Sequence, residues 1–174
     1  MELAKAMEHR RSIRAYKAGT TIEKSVIEEL IKAAQLAPSW KNSQTALYYV
    51  VLSEEKLASV KEKCLPEFNR NNCADAPALI VTTFVKNRAG FERDGSPSTE
   101  LGNEWGAYDL GLQNQNLLFA FEYTFRDKPC IGIATTSIKN KLIENKILDE
   151  NKIIKYDFAT KKDELYDAIC KNDT

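Results

Sequence analysis

A nearly uninterrupted apolar run at residues 78–85 (ALIVTTFV) is the feature that most limits how this chain can fold. A strand with one solvent-exposed face alternates apolar and polar side chains, whereas a continuous apolar run is expected where a strand is covered on both faces. Residues 47–52 (LYYVVL) and 130–134 (CIGIA) are two further strand candidates, because β-branched and aromatic side chains favour strands. The sequence therefore predicts a central sheet that is flanked by helices.

Segments with helical periodicity or composition are interleaved with these strands. They are residues 2–9, the stretch between Thr21 and Pro38, and residues 54–64, 104–122 and 138–145. We expect Thr21 to cap the second helix, because its hydroxyl can accept a hydrogen bond from a free backbone amide. The order of elements predicts an α+β or α/β fold, built as one domain over residues 1–174.

The overall composition excludes several classes of protein. Of the 174 residues, 43% are hydrophobic and 29% charged, as in an ordinary globular domain. Lysine plus arginine and aspartate plus glutamate balance at 25 each, so neither a nucleic-acid partner nor a membrane surface is expected. No run approaches the roughly 20 apolar residues of a membrane span, and the N-terminus lacks the apolar core of a secretion signal. The four cysteines and the single histidine, His9, are not grouped as metal ligands would be. We therefore expect a cytoplasmic protein without a bound metal.

Apolar surface in the second half of the chain exceeds what one small sheet easily covers. The predicted helix 104–122 has few charges, so it should be largely buried. The charged tail nevertheless keeps a set of apolar residues, namely Ile153, Ile154, Phe158, Leu165 and Ile169. Interfaces of obligate dimers resemble a divided core, so this half of the chain favours a dimer.

Three arginines lie within five residues near the N-terminus, at Arg10, Arg11 and Arg14, and Ser12 lies between them. If the first helix continues through this segment, Arg10 and Arg14 share one face. A guanidinium group donates two parallel hydrogen bonds, which suits phosphate, and the serine adds a hydroxyl donor. A solvated face with ion pairs to glutamate is an equally good interpretation of the spacing alone.

A polar segment at residues 37–44 (APSWKNSQ) connects the second helix to the first strand. Its amide and hydroxyl side chains can donate or accept hydrogen bonds, as recognition of a heterocycle edge requires. A plain helix-to-strand connection has a similar composition, and for the segment alone this is the better interpretation. A second polar stretch, residues 87–99, is predicted to be a loop that either covers a site or is simply surface.

Taken together, the order and spacing of these motifs resemble the nitroreductase family of FMN-dependent oxidoreductases. The motifs are, in chain order, RRSIRAY (10–16), APSWKNSQ (37–44), Asn69 to Asn72 with DAPALIV (75–81), NEWGAYDLG (103–111) and KKDEL (161–165). The resemblance extends over about residues 5–120 and is patchy beyond them. It implies a three-layer sandwich with a central mixed sheet, assembled as a domain-swapped homodimer.

The resemblance also implies which residues of this chain would bind FMN. The phosphate and ribityl chain would be held by Arg10, Arg11, Ser12 and Arg14, with added charge at the phosphate from Lys161 and Lys162. The isoalloxazine would be contacted on its pyrimidine side by Asn69 and Asn72, and near flavin N5 by Ile131 and Gly132. The partner subunit would contribute Pro38, Ser39, Trp40, Asn42 and Gln44.

The implied function is a ping-pong transfer of electrons from NADH or NADPH, through flavin N5, to a small aromatic acceptor such as a nitroaromatic or a quinone. The flavin carries that chemistry, so no catalytic side chain is assigned. Residues 125–158 depart from the family's pattern, and Phe125 begins a segment where the family has a glycine turn. Because these residues would form one wall of the flavin pocket, a non-catalytic flavin-binding module is the alternative.

Overall fold

The computed structural model describes residues 3–125, 131–134 and 154–157, with Phe125 and the last two segments described through their backbone alone. In chain order the elements are α1 (Leu3–His9), α2 (Lys24–Gln35), a 3₁₀ turn (Trp40–Asn42), β1 (Ala46–Val51), α3 (Glu54–Cys64), α4 (Glu67–Asn72), β2 (Ala78–Phe84), α5 (Glu104–Phe125), β3 (Ile131–Ala134) and β4 (Ile154–Asp157). The predicted mixture of helices and strands is confirmed as α+β. The predicted helix at residues 138–145 lies outside the described residues.

The four strands form one mixed sheet in the order β3-β2-β1-β4. β1 pairs antiparallel with β2, so that Ala46 lies opposite Phe84 and Val51 opposite Leu79. β4 pairs antiparallel with the other side of β1, and β3 runs parallel to β2. The two strands with the longest apolar runs are therefore the central ones, with a neighbouring strand on each side.

Both central strands are buried on both faces. All six residues of β1 are buried, and so are the first six residues of β2. On one face, the core includes Tyr49 of β1 and Val60 of α3. On the other face, Tyr48 of β1 packs with Ile31 of α2 and Leu117 of α5. Alternate side chains of one strand thus enter two separate cores, which is why neither run alternates with polar residues.

Helix α5 covers the second face of the sheet and approaches it most closely at Gly106. A β-carbon at this position would overlap ring atoms of Phe84, at the end of β2. Further along the helix, Leu110 and Leu117 are buried in the core. Although α5 has 22 residues, no helix in the described segments is both long and apolar enough to cross a membrane. Glycine at position 106 is what allows the helix and the strand end to meet.

The first helix ends at His9, where the sequence predicts. α1 ends at His9, and the chain is not helical from there through Arg14. The Arg11 guanidinium donates to the carbonyl oxygens of Glu8 and Arg10, at 2.6 and 2.9 Å, as basic side chains commonly do at helix C-termini. The helix thus does not continue through this segment, and Arg10 and Arg14 do not share a helical face.

The second helix begins later than the sequence predicts. α2 starts at Lys24 with Glu23 as its N-cap residue, and no side chain bonds to this helix end. The Thr20 hydroxyl, close by, donates to the Lys17 carbonyl at 2.6 Å and closes the preceding turn. The predicted cap at Thr21 is therefore wrong, because the helix begins three residues after Thr21 and its N-cap residue is Glu23.

Gly106→Ala is expected to destabilise the fold. The added methyl group overlaps the Phe84 ring, and overpacking of this kind costs about 1–3 kcal/mol, more than the roughly 1 kcal/mol that alanine gains over glycine in a helix. Urea unfolding measures the loss. Phe84→Leu makes room for the methyl group, so the double variant should lose less stability than the two single losses combined. If the losses of the two single variants simply add in the double variant, the close approach of Gly106 to Phe84 is contradicted.

Candidate functional site

The polar loop at residues 38–44 has a rare backbone conformation. Lys41, Asn42 and Gln44 have positive φ angles of 46°, 51° and 47°, in a region that residues other than glycine seldom occupy. Such a conformation costs of order 1–3 kcal/mol per residue and persists only where surrounding contacts enforce it. The loop must therefore be held by strong contacts to the rest of the fold.

The start of the loop is held by Asp109 of α5. Trp40 donates its backbone N–H to both carboxylate oxygens of Asp109, at 3.0 and 2.9 Å. Asp109 is only 2% exposed, and burial raises the pKa of its carboxyl, which the bond from Trp40 partly offsets. The Trp40 ring packs on Trp105 of the same helix, with 4.3 Å between the ring centroids. Both the main chain and the side chain of Trp40 are thus attached to α5.

The end of the loop is held by a series of amide groups that begins in the core. Gln113, on the next turn of α5, donates from Nε2 to Oε1 of Gln44 at 3.1 Å and accepts from the Tyr48 hydroxyl at 3.0 Å. Gln44 donates from Nε2 to Oδ1 of Asn42 at 3.1 Å, and its backbone N–H donates to Oγ of Ser39 at 3.0 Å. Hydrogen bonds therefore connect buried β1 to exposed Asn42.

The second polar loop, residues 87–99, lies beside the first. Ser98 donates to Glu92 within this loop at 2.6 Å. Lys41 joins the two loops, with 2.8 Å between its Nζ and Oε1 of Glu92. The lysine and Ser98 together lower the pKa of the Glu92 carboxyl. Because the pair is exposed, it adds little stability, but it places the predicted loop 87–99 against the 38–44 segment.

Four residues that hold these loops are not predicted from the sequence, namely Asp109, Gln113, Trp105 and Glu92. A signal was present in α5, because Asp109 and Gln113 are polar residues four apart in a mostly apolar helix and so share one face. Polar groups on a buried face need polar partners. The sequence pattern alone does not say which residues those partners are.

The arginine cluster lies on the extended segment that follows α1. Arg10 is half-buried, whereas Arg11, Ser12 and Arg14 are exposed. Three ion pairs occur between the described residues, and none of them involves these arginines. The interpretation as a face with ion pairs to glutamate is therefore not supported in this part of the chain. Among the described residues, Arg10 and Arg14 have no ion-pair partner, and Arg11 donates only to backbone carbonyl groups.

The predicted contacts of the flavin ring are grouped around the start of β2. Asn69 is exposed and Asn72 half-buried in α4, which leads into β2 through residues 73–77. In β3, Ile131 pairs with the first residue of β2 and Gly132 with the second. Two further predicted ligands lie outside the described residues, namely Lys161 and Lys162.

The polar loop lies at the opposite end of the sheet. It leads into Ala46, which pairs with the last residue of β2, and β2 is about 20 Å long. The Arg10 N–H bonds to the carbonyl of Ala6 at 3.0 Å, so the arginines directly follow α1. Ala6 lines an apolar cleft of about 280 Å³ with Asn116, roughly 10 Å beyond Asp109 along α5. Within one chain, the fold therefore separates the loop from Ile131 and Gly132 at the start of β2.

Two buried polar atoms of the loop have no hydrogen-bond partner among the described residues, namely Nε1 of Trp40 and Oγ of Ser43. Buried donors are normally satisfied, so these two suit a ligand or a second chain that offers acceptor atoms. Phosphate oxygens and heterocycle carbonyl groups are acceptors of this kind. In the same described segments, no three His, Cys, Asp or Glu side chains are grouped as a metal site would require.

Comparison with known proteins agrees with the order of the motifs. The nitroreductase family model matches residues 7–76, which contain the arginine cluster, the polar loop and α4. YdgI, a curated protein of Bacillus subtilis (strain 168) whose name describes it as an NAD(P)H nitroreductase, is 34% identical over 99 residues. The resemblance to the nitroreductase family is confirmed.

Solved nitroreductase structures share the fold of this nitroreductase-like chain. The family protein from Clostridium novyi NT aligns with a TM-score of 0.56 and 22% identity, covering 71% of this chain and 65% of that one. A nitroreductase from Exiguobacterium sibiricum 255-15, crystallised in complex with FMN, aligns with a TM-score of 0.59 and 21% identity over 69% of each chain. The YdgI alignment covers 55% of this chain and 46% of YdgI, so the chain spans about half the length of that curated relative.

Tyr48→Phe is expected to lower stability and to change its pH dependence. Without the hydroxyl, Oε1 of buried Gln113 loses a donor, which costs about 1–3 kcal/mol. Burial raises the pKa of Tyr48 above its usual value of about 10. Its contribution is thus fully present below pH ~10 and is lost as the pH rises towards the raised value, by up to ~1.4 kcal/mol per pH unit. Unfolding free energies measured at pH 8 and pH 11 test this. If the unfolding free energy falls by the same amount between the two pH values in the wild-type chain and in the variant, the prediction is contradicted.

Proposed function

We propose that this chain is an FMN-dependent oxidoreductase that takes electrons from NADH or NADPH. The observation that carries the proposal is the uncompensated charge of Arg10, Arg11 and Arg14, which form no ion pair among the described residues. They lie in the segment that the family model matches. Because the chain as a whole carries no net charge, such a cluster favours a specific anion, and the planar guanidinium group suits a phosphate.

FMN would contact two groups of residues in the proposed site. The first group consists of Arg10, Arg11, Ser12, Arg14, Lys161 and Lys162 at the phosphate and ribityl chain, with Asn69, Asn72, Ile131 and Gly132 at the ring. The second group consists of Pro38, Ser39, Trp40, Asn42 and Gln44. The buried donors Nε1 of Trp40 and Oγ of Ser43, which lack partners in the described part of the chain, support a ligand rich in acceptors at the second group.

The second group of ligands would come from a partner subunit, so we propose a domain-swapped homodimer of three-layer sandwich subunits. The separation of the loop from Ile131 and Gly132 at opposite ends of the sheet supports this arrangement, because a flavin held between two chains could contact both groups. The exposed residues of α5 between positions 107 and 123 support it as well, since none is charged: Ala107, Tyr108, Gly111, Gln115 and Tyr123. Depletion of charge is typical of the centre of an interface.

Bound FMN would supply the redox chemistry of a ping-pong cycle, in which NADH or NADPH and then a nitroaromatic, quinone or similar small acceptor use one site. The protein would hold the phosphate with arginines, orient the ring edge with amides and exclude water from the ring. None of these roles requires a side chain that acts as an acid or a base.

A second candidate function is a flavin-binding module without turnover. The departure of residues 125–158 from the family's pattern favours it, because these residues would form one wall of the flavin pocket. Such a module keeps the phosphate contacts but holds the ring where a nicotinamide does not reach it.

The absorbance spectrum of the purified full chain with added FMN distinguishes these functions. For the enzyme, we expect bound flavin that is bleached by NADH or by NADPH and reoxidised by a quinone. Bound flavin that neither nucleotide bleaches would favour the module. A chain that binds no FMN would refute both flavin functions.

Arg10→Ala combined with Arg14→Ala is expected to weaken FMN binding at least about 100-fold. Each charge-assisted hydrogen bond contributes about 1.5–3 kcal/mol, and 1.4 kcal/mol corresponds to about tenfold in affinity. Titration by flavin fluorescence measures the effect. Lys56→Ala combined with Lys63→Ala removes two positive charges from α3 and serves as the control, with affinity unchanged. Equal affinities in the two double variants would refute the phosphate assignment.

Gly111→Arg is expected to convert the dimer into monomers and to weaken FMN binding with it. A β-carbon at Gly111 meets no atom of its own chain within 4 Å, so the fold tolerates the change, whereas an unpaired charge in an interface is strongly unfavourable. Sedimentation velocity measures the oligomeric state. Ala58→Arg, at an exposed position of α3, is the control. A Gly111→Arg chain that stays dimeric would exclude this face of α5 as the interface.

A further inference from the structure

We propose that Asp109 and Gln113 of α5 are positioning residues that hold the 38–44 loop in the conformation that binds flavin. The role in binding rests on the proposed function, whereas the contacts themselves do not. Neither residue has to touch the ligand. Each acts through a loop residue, Asp109 through the main chain of Trp40 and Gln113 through the side chain of Gln44.

Asp109 determines where the strained part of the loop begins. Both of its carboxylate oxygens accept the Trp40 N–H, and no cation pairs with it among the described residues. A buried carboxylate without a cation is unfavourable, and an apolar side chain would fill the same space at lower cost. What the carboxylate adds is a fixed pair of acceptors, just before the left-handed residues Lys41 and Asn42.

Gln113 holds the other end of the loop and sets the direction of its amide groups. It is fully buried, and its two amide ends are used by Tyr48 and Gln44. Oε1 of Gln44 therefore already accepts a hydrogen bond from Gln113, and Nε2 of Gln44 donates to Oδ1 of Asn42. The side-chain N–H groups of Asn42 have no role in this network and are available to an acceptor on the ligand.

Lys41 and Asn42 lie between these two points of attachment, and the third strained residue, Gln44, lies at the second point. Asp109 and Gln113 are four residues apart and face the loop from neighbouring turns of α5. A backbone conformation of this kind persists only while its surroundings enforce it, so release of one end allows the loop to relax. The apolar contacts that join the sheet to α2, α3 and α5 are made by other residues, so we expect the sheet and its helices to remain folded when the loop relaxes.

The test uses three variants of the full chain. Asp109→Leu removes both acceptors, whereas Asp109→Asn keeps one oxygen that can accept the Trp40 N–H. Asn114→Leu is the matched control, because it removes a hydrogen bond from α5 to Thr82, 3.2 Å between Nδ2 and Oγ1, without a contact to the loop. Amide hydrogen exchange of residues 39–44 is measured without flavin, and FMN affinity by fluorescence titration.

We expect faster exchange of residues 39–44 in Asp109→Leu and FMN binding weakened about tenfold or more. Asp109→Asn should stay within about threefold of the wild-type affinity, because it retains an acceptor. Asn114→Leu should match the wild-type chain in both measurements. The melting temperature of Asp109→Leu should not fall below that of Asn114→Leu, since a buried charge has been removed.

Unchanged amide hydrogen exchange of residues 39–44 in Asp109→Leu would refute the role of Asp109 in holding the loop. Faster exchange with unchanged FMN affinity, or equal losses in the asparagine and leucine variants, would overturn the positioning role. If the wild-type chain binds no FMN, the proposed function fails, and the exchange measurements still decide whether Asp109 holds the loop.

Discussion

Burial of β1 and β2 on both faces is the constraint on which the rest of this structure depends. Six consecutive buried residues in each strand require apolar cover on two sides. α3 provides that cover on one side, and α2 together with α5 on the other. Because α5 must pack along the sheet, its first turns lie where the polar loop enters β1. Hydrophobic burial thus positions the helix, and the helix in turn positions the loop.

Helix α5 contacts the sheet through apolar side chains and the loop mainly through polar side chains. Leu110 and Leu117 are buried in the core, whereas Asp109 and Gln113 are buried against hydrogen-bond partners. A buried polar network is favourable only while every member keeps its partner. The free energy of these contacts therefore depends on the loop conformation, and this dependence explains how the left-handed angle at Gln44 persists.

The same geometry separates the two groups of proposed flavin ligands. The loop precedes β1 at one end of the sheet, while β3 and the connection from α4 meet at the other end of β2. The arginines follow α1, which packs near the later turns of α5. In the proposed dimer, a single flavin would contact both groups by lying between two chains. Strand length and pairing thus support the proposed dimer, in addition to the uncharged exposed residues of α5.

The sequence by itself determined the elements that depend on neighbouring residues. The apolar runs located both central strands, and α3 has its predicted bounds because Ser53 accepts a hydrogen bond from its first turn. The order of the arginine and polar-loop motifs likewise identified the family resemblance. Only the tertiary structure decided what holds the loop, because Trp40 and Asp109 are 69 positions apart, and no local pattern joins residues at that separation. It also decided that the loop and Ile131 lie at opposite ends of the sheet, since that separation depends on how β1, β2 and β3 pair.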